Sequence, residues 1–129
     1  MEQLVKAIAL ENNLTVELYD ASKKIAGDRW QVSLVARMVI PVDDAIDKGG
    51  IDPTKAMEIR QVLGDAVTYE IKKQRNFIDA REKTAVFDQL LDVFSNYSRP
   101  YLSHPDFAGR FVLKTFYDRQ KQRLPDPRQ

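Results

Sequence analysis

Apolar residues recur at every second position through the first third of this chain. Leu14, Val16 and Leu18 alternate with Thr15, Glu17 and Tyr19. Trp30, Val32, Leu34, Ala36, Met38 and Ile40 then alternate with Gln31, Ser33, Val35, Arg37 and Val39. Successive side chains of a strand point to opposite faces, so this rhythm predicts strands with one face buried. A first strand is expected over residues 4–10. Leu4, Ala7 and Ile8 also suit a helical period, but a strand lets Glu11-Asn12-Asn13 close a three-residue hairpin. Asn13 then takes the left-handed conformation that asparagine tolerates. That register sets Leu10 beside Leu14 and Ile8 beside Val16 on one face. A two-residue Asn-Asn turn would divide the same residues between faces.

Residues 20–29 read as a polar connection between two adjacent antiparallel strands. The third strand ends at Pro41, which has no N–H for a ladder, and residues 42–50 read as a solvated loop rich in carboxylates and glycine. A helix follows, capped by Asp52, opened by Pro53 and closed by Gly64 in the left-handed region; it buries Ala56, Met57, Ile59 and Leu63. Val67, Tyr69 and Ile71 predict a fourth strand running toward Arg75. Asp79 and Glu82 have capping-box spacing ahead of a helix whose inner side carries Val86, Phe87, Leu90, Leu91, Phe94 and Tyr97. Pro100 predicts that this helix stops near Arg99. Residues 103–106 lead into a last helix bearing Phe107, Phe111 and Phe116 or Tyr117, with a frayed tail from about residue 124. The order β-β-β-α-β-α-α describes an α+β fold: one two-layer domain over residues 1–129, its antiparallel sheet of about four strands covered by helices on one face.

Composition narrows the function classes more than it selects one. The chain has 129 residues, 43% hydrophobic and 30% charged, with a formal net charge of +1. Such a balance supplies no strong field to draw nucleic acid or a membrane surface. There is no cysteine, which excludes disulfides, thiolate metal sites and cysteine nucleophiles and suits a reducing compartment. Neither a secretory signal nor a run of roughly 18 apolar residues is present, so a cytoplasmic protein without membrane contact is expected.

Candidate chemistry is sparse. Asp43, Asp44, Asp47 and Asp52 lack the alternate spacing and terminal glutamate of a calcium loop, and Asp52 is already a helix cap. His104, the one histidine, sits between Ser103 and Pro105 at a helix start, and no serine elbow or cysteine accompanies it. Residues 22–30 join Lys23, Lys24 and Arg29 to Gly27 and Trp30, a composition able to meet an anion, yet without the spacing of a phosphate loop. Residues 99–129 hold seven cations against three acids, and Arg110, Lys114 and Lys121 share a helical face. Cations near a helix C-terminus also complement its dipole. On the sheet face opposite the core set, Tyr19, Val35, Arg37 and Val39 form an apolar spot among polar neighbours, which points to self-association.

No motif names a family, no catalytic, metal or cofactor-binding residue is nominated, and the balance is against an enzyme. The expectation is a small binding domain that meets a second copy or a protein partner through Tyr19, Val35, Arg37 and Val39. The alternative is a nucleic-acid-associated protein using Lys23, Lys24, Arg29, Arg110, Lys114 and Lys121. An enzyme whose carboxylates and arginines meet only in the fold is the third reading.

Overall fold

The computed structural model describes residues 2–123. It is an α+β fold with an antiparallel sheet of five strands: β1 (Gln3–Ala9), β2 (Thr15–Asp20), β3 (Lys23–Ala26), β4 (Arg29–Pro41) and β5 (Ala66–Asp79). The helices are α1 (Val42–Gly49), α2 (Pro53–Leu63), α3 (Lys83–Val93), α4 (Arg99–Leu102) and α5 (Phe107–Arg123), with a π-helical turn, Phe94–Ser98, joining α3 to α4. The chain contacts resolve into two compact units. A sheet unit comprises the chain up to Val39 together with Thr68–His104, and a helical unit comprises Ile40–Val67 and the chain from Pro105 onward.

In the sheet unit, the first hairpin forms in the expected register. Ile8 pairs with Val16, the Leu10 N–H donates to the Leu14 carbonyl at 2.7 Å, and Asn13 is left-handed at φ 69°. The segment expected as a polar connection contains β3. Lys23 pairs with Gln31 and Lys24 with Trp30, while Gly27 supplies the positive φ of 54° that the tight turn requires. β2 and β3 lie end to end along one side of β4, and the pairs Val16–Met38, Asp20–Leu34 and Lys23–Gln31 keep one continuous register. Across the bend between them the Ala21 N–H still donates to the Ser33 carbonyl at 3.0 Å. β5 pairs with β4 as well, so the sheet reads β1, then β2 with β3, then β4, then β5.

The helix after Glu82 departs from expectation at both ends. Asp79 and Glu82 form no capping box: the Asp79 carboxylate accepts the Arg81 N–H at 2.9 Å, and Glu82 makes no side-chain cap. Nor does the helix stop at Arg99. The π turn directly precedes Pro100, where a continuing α ladder would press the proline ring against the carbonyl of Asn96. The extra residue of that turn shifts the helical phase by about 100°. Tyr97, expected inside, is therefore 76% exposed, while Leu102 returns to the buried side with Phe94. Asn12 ties this end to the first hairpin, its Nδ2 donating to the carbonyls of Leu102 (2.8 Å) and His104 (3.1 Å).

In the helical unit, residues 42–50 form α1 and not a loop. Val42, Ala45 and Ile46 fall at helical spacing and are buried, acids occupy the first turn, and Gly50 ends the helix left-handed at φ 60°. The Ile51 N–H to Ile46 carbonyl and Gly50 N–H to Asp47 carbonyl bonds complete a Schellman stop. α2 is capped as expected, with the Asp52 carboxylate accepting the N–H groups of Thr54 and Lys55. Gly64 has the expected positive φ of 77°, but its ψ of −148° lies outside the left-handed helical region. Met57 is exposed; Ala56, Ile59 and Leu63 carry the buried stripe. α5 packs on α1 and α2 and buries Phe107, Val112 and Phe116, while Tyr117 is 44% exposed. The tail expected to fray from residue 124 lies outside the described residues.

α1 and α5 cross where two glycines meet: a Cβ added at Gly109 would lie 3.4 Å from the Gly49 Cα and 3.6 Å from the Ala45 carbonyl oxygen. Gly109→Val should cost about 1–3 kcal/mol by forcing the helices apart. Gly109→Ala, at ordinary contact distance and with a helix-propensity gain of about 1 kcal/mol, should be near neutral. Urea denaturation of the two variants checks the difference.

Candidate functional site

The outer sheet face is organised by Arg37. Its Nε donates to Glu70 at 2.7 Å and its two terminal nitrogens donate to both oxygens of Glu2 at 3.0 Å. The guanidinium also stacks over the Tyr19 ring, 4.9 Å from the centroid. One rung thus spans the sheet: Glu2 ahead of β1, Tyr19 on β2, Arg37 on β4 and Glu70 on β5. Gln31 and Asn76, bonded at 3.0 Å six residues back along β4 and six residues on along β5, show the antiparallel step of the same pairing. The hydrogen bonds that Arg37 donates to Glu2 first and then to Glu70 hold its charge beyond its usual range, and Arg37 in turn draws the Glu2 carboxyl below the usual carboxylate range.

This arrangement changes the surface proposed from the sequence. Val35 is only 2% exposed and has no area to offer a partner; Arg37 is spent on Glu2 and Glu70, and Tyr19 is half-buried beneath it. Val39 remains open at 54%. Apolar exposure lies further out, at the sheet edge. Among the described residues β1 pairs only with β2, and Leu4 and Val5 on it are 52% and 48% exposed. Leu4 sits opposite Tyr19, and Val5 falls at a bulge that takes it out of the pairing register. Sequence reasoning assigned Leu4 to a strand without asking whether that strand was an edge, which only strand order reveals.

The basic residues do not share one compact unit. Lys23, Lys24 and Arg29 belong to the sheet unit, whereas Arg110, Lys114 and Lys121 belong to the helical unit. Arg29 has carboxylate partners in Asp28 (3.8 Å) and Asp79 (3.7 Å), and Arg110 has one in Asp106 (3.5 Å). The Asp79 carboxyl lies below its ordinary range, held there by the Arg81 backbone N–H first, then by the Arg81 side chain and the Arg29 charge. Lys23, Lys24, Lys114 and Lys121 are exposed.

The sheet unit also holds a cavity of about 280 Å³ where the end of β2, the start of β4 and the first turn of α3 meet. Asp20, Ser22, Trp30, Lys83, Thr84 and Phe87 line it, with the Lys83 Nζ 3.8 Å from the centroid of the Trp30 ring. Sequence reading marked Ser22 and Trp30 for their mixed neighbourhood; Lys83 and Thr84 arrive only through the packing of α3. Among the described residues no three of His, Asp and Glu gather as a metal ion would need. Of the acids of residues 43–52, Asp43 pairs with Arg60 and Asp52 serves as a helix cap. His104 is exposed, and its backbone serves the Asn12 tie.

Replacing Arg37 with Met leaves Glu2 and Glu70 without their shared cation. The folded state lowers the Glu2 pKa, so its contribution to stability is full above the ordinary glutamate range and is lost as pH falls through the lowered value. Arg37→Met should therefore reduce Tm at pH 7, and the gap from the parent should narrow toward about pH 3. Thermal denaturation at both pH values checks this; a gap that persists in acid contradicts it.

Compared with protein-family models, with characterised proteins and with solved structures, the chain matches none, and the chemistry open to it follows from its own residues.

Proposed function

We propose that this chain is a cytoplasmic, non-catalytic interaction domain that assembles with a second copy of itself through the free edge of its sheet. The observation that carries the reading is β1: among the described residues, a strand bonded along one side, with Leu4 and Val5 about half exposed on it. Unpaired edge N–H and C=O groups are a template for another strand, and burial of the apolar side chains that flank them adds to the gain.

The composition of the edge favours a copy of itself as the occupant. In an antiparallel two-fold pairing centred on Leu4, that residue meets its own copy across the axis, so the exposed apolar side chains cover one another. Apolar pairs at facing positions stabilise such a contact, whereas like charges there would oppose it. The bulge at Val5 bends the strand and limits how many rungs a partner adds, so the contact is short and the association concentration-dependent.

Native mass spectrometry and light scattering over a concentration series should show a dimer. Leu4→Lys, which sets two lysines face to face at an exposed position, should leave a folded monomer. A parent chain that stays monomeric throughout, or a Leu4→Lys variant that still dimerises, overturns the proposal.

A further inference from the structure

The cavity between β2, β4 and α3 carries two opposite charges that make no ion pair. Among the described residues Asp20 receives one hydrogen bond, from the Ser22 backbone N–H to Oδ1 at 2.9 Å, and its second oxygen has no partner. Lys83 has no carboxylate partner there; its ammonium rests over the Trp30 ring at 3.8 Å. Both side chains line the same space of about 280 Å³. A lysine and an aspartate on one surface can reduce their separate hydration costs by pairing, so two that share a cavity and remain apart leave a positive and a negative pole for its contents.

From this we infer that the cavity binds a small zwitterion of the α-amino-acid class, its ammonium on Asp20 and its carboxylate on Lys83. A simple anion would meet Asp20 as well as Lys83, and a simple cation would meet Lys83 as well as Asp20; a zwitterion satisfies both at once. Ser22, whose Oγ accepts the Ser33 N–H at 3.1 Å and keeps its own proton to donate, and Thr84, in the first turn of α3, add polar lining. Trp30 and Phe87 provide the apolar wall against which the ligand's side chain rests. The volume of about 280 Å³ lies just below that of sites for drug-sized molecules, which suits one amino acid.

Trp30 is the only tryptophan of the chain, so its emission reports on this cavity alone. The probes are the individual proteinogenic amino acids, their N-acetylated forms and inorganic phosphate, each titrated against the full chain. At least one free amino acid should give a saturable change in Trp30 emission, and its N-acetylated form, which lacks the ammonium, should bind at least tenfold more weakly. Asp20→Asn should weaken the free amino acid at least tenfold while narrowing the gap to the N-acetylated form. Lys83→Met, which keeps a cover over Trp30, should weaken both forms. The backbone amide spectrum of each variant confirms that it is folded. The inference is overturned if no amino acid gives a saturable change at millimolar concentration. It is equally overturned if phosphate or the N-acetylated form binds the parent chain as tightly, or if Asp20→Asn leaves the affinity unchanged.

Discussion

Strand β4 is bonded along both of its sides, to β2 and β3 on one and to β5 on the other, and the residues of the sheet unit are placed by its register. The run Val32–Ala36 is buried without interruption, which marks a strand whose two faces are both withdrawn from water. Register in such a strand is strongly specified, because a slip of one residue exchanges every side chain between faces. It would turn Arg37 inward, where no carboxylate awaits it, and carry Met38 and Ala36 to the outer face. The same register brings Arg37 level with Tyr19 and Glu70, and Trp30 level with Lys24 at the cavity end.

Polar contacts then pin what the apolar alternation leaves loose. Arg37 on β4 draws together the segment before β1 and the neighbouring strand β5. Asn12 holds the first hairpin to the end of α4, and the π turn makes that docking possible by restoring Leu102 to the buried side after Pro100. One buried polar atom among the described residues stays unsatisfied, the Ser33 Oγ, although the backbone N–H of that residue is taken by Ser22. Its cost of roughly 1–3 kcal/mol falls in β4 opposite the bend between β2 and β3.

The proposed self-association and the proposed ligand binding would draw on different parts of this arrangement. The edge strand offers backbone groups and modest apolar area, which a matching strand would complement. The cavity offers two separated charges and an aromatic wall, which a small dipolar molecule would complement. Neither depends on the basic residues of α5, two of which are exposed lysines and one of which already faces Asp106.

What the chain determined by itself is the local order. The period-two alternation, the asparagine turn, the Asp52-Pro53 helix start and the antiparallel pairing of β1 with β2 all follow from near neighbours, whose backbone preferences act within a few residues. α1 was also legible, since Val42, Ala45 and Ile46 keep helical spacing between acids and Gly50, but the paired glycines and carboxylates obscured it. β3 was not, because its residues are all exposed and only their partners on β4 define them as a strand. Tertiary structure decided everything that depends on what lies across the sheet. It buried Val35, moved Tyr97 out through the π turn, exposed β1 as an edge, and brought Lys83 from α3 to the ring of Trp30. The physical reason is range: hydrogen-bonded turns and caps are chosen by adjacent residues, whereas burial and charge pairing are chosen by segments that meet only after the chain has folded.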